Sequence, residues 1–244
     1  MNGNFLVLGT GRSGTSWLID TINGHPDLCA YGEMFNLGIK APKKLEEFYI
    51  QSAERRRYVR PISTWKFLTR HFGNTSRTGF KLLYGDARHF PEVVAYLAAR
   101  RFRVIHLIRQ NQLDVMISRE NVYQNLKKWY VREGDNLKID TLRVFLPVDD
   151  LAGALAKKYR TIEQARRFLR LARLPHIELD YETLKANRSE FERVWDFLGV
   201  ASPPEGPVSS LRKIRTQSHR EILQNYAEVQ SALAGTAYEH LLEP

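Results

Sequence analysis

The chain has 244 residues, 43% hydrophobic and 26% charged, a balance that excludes a disordered or low-complexity protein and allows a substantial buried core. Its 37 Lys and Arg against 27 Asp and Glu give a net charge of +10, which draws acidic ligands without choosing between nucleic acid, anionic lipid and a small polyanion. The lone Cys29 excludes an intramolecular disulfide, no apolar run approaches the roughly 20 residues of a membrane span, and "MNGNFLVLGTG" does not read as a secretory leader, so a cytoplasmic setting is expected.

In chain order, "FLVL" at Phe5–Leu8 reads as a short buried strand, and the glycine-rich stretch after it opens a helix from about Thr15 to Asn23, stopped by "NGHP". Residues 43–72 are expected to be helical with a break at Pro61. "GFKLLYG" from Gly79 is a second strand, "PEVVAYLAARR" from Pro91 a helix, and "FRVIHLIR" from Phe102 a third strand, apolar enough to be central in a parallel sheet. Asn111 is placed to cap a helix whose buried side carries Leu113, Met116, Ile117, Leu126 and Trp129. Residues 131–148 give no clear signal. Residues 149–172 form a helix, "HIELD" a fourth strand with Asp180 capping the next helix, and "SEFERVWDFLGV" a helix ending at Gly199. The tail from about Gln217 is mostly helical. Strands alternating with helices predict an α/β fold, a P-loop-like central parallel sheet of about four to five strands with helices on both faces and ligands at the strands' carboxyl ends.

The chemistry concentrates in "GTGRSGTSWL", which begins at Gly9. Gly9 and Gly14 hold the two glycine positions of a nucleotide-binding P-loop, but Thr15 stands where that loop carries lysine. The remaining parts still suit an anion. Glycines let backbone N–H groups converge, the helix start points its positive end at the ligand, Thr15 and Ser16 can donate hydroxyls, and Arg12 supplies a cation.

That displaced cation is where a resemblance begins. "GRSGTSWL" resembles the 5′-phosphosulfate loop of sulfotransferases that use 3′-phosphoadenosine 5′-phosphosulfate (PAPS), and "VIHLIRQNQLDVMISRE" resembles their 3′-phosphate motif, here Arg109 and Ser118. The two lie nine residues apart, one more than in most of the family. That spacing, with "GHPDLCAYGEMFN", "LDYETLKANRSEFERVWDFLGV" and "LRKIRTQSHREILQNYAEVQSALAGT", is similar to the bacterial branch typified by trehalose sulfotransferase.

The resemblance implies one domain over residues 1–244, with 40–77 and 131–148 as acceptor-side insertions. It implies PAPS as donor and PAP as product, held by Gly11, Arg12, Ser13, Gly14, Thr15, Ser16, Arg109 and Ser118, with Lys213 and Arg215 over the 3′-phosphate or adenine, and no metal. Arg12 is the cation for the leaving phosphate and Lys81 a lysine near the sulfuryl group. Glu33 in "YGEMFN" matches the branch's base, with His25 as rival because other branches use histidine. His106, inside an apolar strand, reads as a structural histidine, and Trp17 and Trp195 as core. Tyr31, Met34 and Phe35 are placed beside the base as acceptor contacts. The acceptor is expected to be a carbohydrate or other small alcohol; no nucleic-acid partner or transmembrane segment is expected, and a homodimer is one state the branch suggests. Two other functions fit the loop alone: a diverged nucleoside or sugar kinase, and a non-enzymatic module whose basic surface holds a polyanion.

Overall fold

The computed structural model describes residues 3–35, 60–126, 142–211 and 217–242. Trp129, Lys213 and Arg215 lie outside the described residues, as do 43–59 of the first uncertain stretch and 131–141 of the second.

Five parallel strands form one sheet in the order β2-β3-β1-β4-β5: β1 Phe5–Gly9, β2 Cys29–Glu33, β3 Thr78–Leu83, β4 Arg103–Ile108 and β5 His176–Asp180. Every residue of β1 is buried, which is why its run carries no polar alternation and sits at the centre. The chain adds β3 on one side of β1 and β4 on the other, so the loop after β1 opens at the reversal where such sheets bind ligands. At Gly9 a Cβ would meet the Leu107 carbonyl and the Thr15 methyl at 2.8 Å, so that turn needs glycine for close strand packing.

The β2 strand is an addition to the sequence reading. It is an edge strand, mostly exposed, with Gly32 inside it and a register shift between Tyr31 and Glu33, so neither β-propensity nor alternation marks it. Elsewhere the expected order holds with shorter elements: α1 Thr15–Asn23, α2 Arg60–Phe72, α3 Tyr84–His89, α4 Pro91–Ala99, α5 Gln112–Asn121, α6 Leu151–Leu171, α7 Tyr181–Ala186, α8 Phe191–Leu198, α9 His219–Ile222 and α10 Tyr226–Leu233. Pro61 is the second residue of α2 as described, and the break expected there turns on residues 43–59, which lie outside the described residues. Asn111 caps α5 as expected, its Oδ1 accepting from Asp114 N at 3.1 Å, and α5 continues into a π-helical turn, Val122–Leu126.

The two faces of the sheet are covered by separate apolar layers. On one, α1 and α8 bring Leu18, Ile22, Val194 and Trp195 against Phe5, Val7, Ile105 and Leu107. On the other, α2, α4 and α6 bring Leu68, Phe72, Val93 and Ile162 against Leu6, Leu82 and Val104. Each side chain so buried contributes about 1.5–3 kcal/mol. The described part of 40–77 belongs to that core, through Phe67, Leu68 and Phe72. A third cluster joins α5, α6 and the tail, and Val144 enters it by bridging in parallel to Leu223.

Candidate active site

The residues singled out by sequence come to the carboxyl edge of the sheet from three directions. After β1 the chain turns through Thr10–Ser13, with Arg12 at φ 70° and Gly14 at φ 90°, before α1 begins. Gly14 is required twice over: its φ is left-handed, and a Cβ there would sit 2.2 Å from the ring of Tyr181. Tyr181 follows β5 and stands edge-on to Trp17 of α1 at 5.7 Å, so the fourth strand predicted from sequence delivers an aromatic wall for the loop.

The hydroxyls of the loop are used differently from expectation. Ser13 is buried and donates to the Thr10 carbonyl at 2.8 Å, tightening the turn; Thr15 is buried too. Ser16 accepts from Lys81 Nζ at 2.8 Å. What faces a ligand from the loop is therefore backbone N–H, the start of α1 and the Arg12 guanidinium.

Arg12 reaches across to α5, where its Nε donates to Ser118 Oγ at 3.1 Å. Burial first, and then the neighbouring charge of Arg109, push its pKa down to about 10 against the opposing pull of Tyr181 and Glu33. The two arginines therefore share one electropositive cluster rather than two separate pockets.

Arg109, at the end of β4, is held on several sides. Its Nη2 donates to Asp114 Oδ2 at 2.6 Å, and its guanidinium lies 5.2 Å from the centre of the Tyr181 ring. The other Asp114 oxygen bonds His219 Nε2 at 2.8 Å, with the His219 ring fully buried. Arg109 Nε comes within 3.3 Å of Glu182 Oε1 without the alignment of a hydrogen bond, so it is left as a buried donor lacking an acceptor. Thr10 Oγ1, in the loop opposite, is also buried with no partner. Buried polar atoms of this kind are rare in native proteins unless a ligand or water meets them, and an anion between loop and β4 would serve both.

On the other side of β1, the β2–β3 register places Glu33 opposite Lys81. Lys81 Nζ lies 2.5 Å from Glu33 Oε1, both side chains nearly buried, and holds Ser16 with another proton. Asp86 of α3 adds a second carboxyl, its pKa raised by burial first and then by the Glu33 charge, with Leu83 N–H, Lys81 and His89 opposing. Asp86, Tyr181, Glu182, Asp114 and His219 were not named as site residues from sequence, although all but Asp86 lie in segments that carry the family resemblance.

The alternatives around the base separate by position. His25 lies past α1, near the amino ends of the strands. Its Nε2 donates to the Ala201 carbonyl at 2.8 Å and its Nδ1 accepts from Asp27 N at 3.0 Å, so both nitrogens are engaged away from the loop. His106 is the structural histidine expected, buried between Tyr84 Oη at 2.5 Å and Glu178 Oε2 at 3.2 Å. Asp180 caps α7 through Thr183 N at 2.9 Å. Trp195 is core, and Trp17 half-buried against Phe191. Met34 and Phe35 correct the acceptor expectation: both are buried, Phe35 packed on Phe80 at 5.6 Å, because the chain turns inward after Glu33; Tyr31 alone of the three is exposed.

The flanks of the Lys213 and Arg215 segment are anchored at both ends. Ser209 Oγ and Ser210 N bond Asp20 Oδ2 of α1 at 2.8 and 2.7 Å. Ser218 forms a capping box with Glu221, and the next residue is the His219 that grips Asp114.

A glycine loop and helix start beside an arginine pair at the reversal point of a parallel sheet define a transferase-type anion site. The family model for the sulfotransferase domain matches residues 2–234, and the chain belongs to that family. It is an enzyme, and neither the kinase nor the polyanion-holding module survives that membership. Among solved structures, mouse sulfotransferase SULT7A1 complexed with PAP is similar at 14% identity and TM-score 0.45, over 84% of this chain and 61% of that one. A sulfotransferase from Alicyclobacillus acidocaldarius is similar at 14% identity and TM-score 0.45, over 99% of this chain and 96% of that one. The chain thus spans about three-fifths of the mouse protein's length. No curated protein matches it. No helix among the described residues is long and apolar enough to cross a membrane.

Proposed function

We propose that the enzyme transfers the sulfuryl group of PAPS to the hydroxyl of an alcohol acceptor, a carbohydrate or similar molecule, and releases PAP. The observation that carries this reading is the convergence of Arg12, Arg109 and Ser118 on one edge, with Arg109 Nε and Thr10 Oγ1 buried and unsatisfied there. A donor that carries a second phosphate besides the 5′ group supports such a pairing of guanidinium groups better than a mononucleotide does.

In this reading Gly11–Ser16 and the start of α1 hold the 5′-phosphosulfate, and Arg109 and Ser118 hold the 3′-phosphate. Lys213 and Arg215 contribute from the segment tethered between Asp20 and Asp114. Glu33 takes the proton of the acceptor hydroxyl as its oxygen bonds to sulfur; the sulfur–oxygen bond to the phosphate breaks in line, and Arg12 neutralises the charge left on that phosphate. Neutralisation by guanidinium needs no metal. Lys81, between Glu33 and Ser16, orients the carboxylate and then lies beside the transferring group. Residues 40–77 and 131–148 form the acceptor side.

Calorimetric titration without magnesium tests it. PAP should bind at least tenfold tighter than AMP, and Arg109→Ala should erase the difference while leaving AMP unchanged. Equal affinity of the wild-type protein for PAP and AMP would overturn the reading.

A further inference from the structure

The strands that carry the site present a different environment on their other face. Side chains alternate along a strand, so Lys81 turns towards Ser16 and α1 while Leu82 and Tyr84 turn the opposite way. There a groove of about 570 Å³ runs between α4 and α6. Its floor is the sheet itself, Leu6, Leu8, Leu82 and Val104. Ala95 and Ala98 on α4, Ala165 on α6 and Ala172 just past its end are among the lining residues, and side chains this small leave the space over the strands unfilled. The volume lies within the roughly 300–1,000 Å³ of small-molecule sites.

One end of the groove is polar. Arg88 of α3 lines it with Thr161 and Gln164 of α6. Thr161 already donates to the Lys157 carbonyl, and Arg88 Nη2 meets the neutral Gln164 Oε1 at 2.5 Å. Among the described residues Arg88 makes no ion pair, so its guanidinium at the rim of an otherwise apolar trough suits a single negative head group. At the other flank Phe168 is 41% exposed, an apolar ring with no cover on its outer side.

We infer that the groove between α4 and α6 binds a long-chain carboxylate, its apolar chain along Leu6, Leu8 and Val104 and its carboxylate on Arg88. The site is distinct from the donor edge, because the sheet separates it from α1 and the glycine loop. The test is a titration of the full chain with dodecanoate and dodecanol below their micelle concentrations, read by displacement of a fluorescent fatty acid and by native mass spectrometry. Dodecanoate should bind one per chain and at least tenfold tighter than dodecanol. Ala165→Trp, which fills the groove, should abolish binding, and the exposed Arg88→Ala should weaken dodecanoate about tenfold and leave dodecanol unchanged; circular dichroism and a cooperative melt establish that each variant is folded. Should Ala165→Trp not fold, Arg88→Ala alone decides. Unchanged dodecanoate affinity in the folded variants, or equal affinity for acid and alcohol, overturns the inference. So does an Ala165→Trp protein that keeps its ligand and changes its sedimentation, since the groove would then be a contact between copies.

Discussion

The two sides of β1 treat their cations in opposite ways. On the β3 side Lys81 is closed into a nearly buried pair with Glu33, and its remaining contact is Ser16. On the β4 side Arg109 is fixed by Asp114, which His219 fixes in turn, yet Nε is left over, and Arg12 is crowded against a like charge. A satisfied pair is a poised acid–base unit, able to trade partners as a reaction proceeds. An arginine that keeps a buried donor without an acceptor, beside a second guanidinium, is a standing demand for an anion. In the proposed reading the difference divides labour within one edge: the acid–base pair towards β2 and β3, donor recognition towards β4, with Arg12 of the loop serving the leaving group between them.

Substitutions at each side sharpen or break that division. The largest effect is expected from Arg12→Ala, which lowers kcat about a thousandfold in a sulfate-transfer assay, as loss of a charge-stabilising donor does; a kcat within tenfold of wild type would remove Arg12 from the leaving-group side. Next, Glu33→Gln should cost about a hundredfold in kcat with PAP affinity unchanged by calorimetry, whereas loss of PAP binding would mean that Glu33 belongs with recognition. Asp114→Asn should do the reverse, weakening PAP about tenfold with kcat at saturating donor nearly intact.

The smallest effect concerns stability. Burial holds His106 down to about 4, more strongly than the Glu178 charge raises it, so the ring is neutral in the folded protein. As pH falls below the ordinary value of about 6.5 the unfolded chain takes up a proton that the folded one refuses, and this part of the stability is lost until about pH 4. Urea unfolding at pH 7.5 and 5.5 should show the wild type losing about 1 kcal/mol more than His106→Gln. Equal losses would mean that the imidazole titrates normally.

Much of the donor edge was legible because its signals are local. A buried apolar run, glycines at a turn and an arginine at a strand end each act within a few residues of themselves; Gly9, Arg12 and Gly14 could be named from the loop's own pattern, and Arg109 and Ser118 from the resemblance of the second motif. Edge strand β2 was not legible, since pairing with β3 rather than its own pattern makes it a strand. Nor were the partners supplied from far along the chain. His219 meets Asp114 across 105 residues, and Tyr181 covers Gly14 from another strand, contacts that only the folded chain creates. Met34 and Phe35 were misplaced for the same reason: proximity to Glu33 in sequence says nothing about which way the next two side chains turn.

The anchors on either side of residues 212–216 carry a mechanical consequence. Ser209 and Ser210 are moored to the helix that starts at the glycine turn, and His219 to the aspartate that steadies the β4 arginine. If Lys213 and Arg215 meet the donor as proposed, those two moorings hold their local concentration at the edge high, and glycines added between them would lower it.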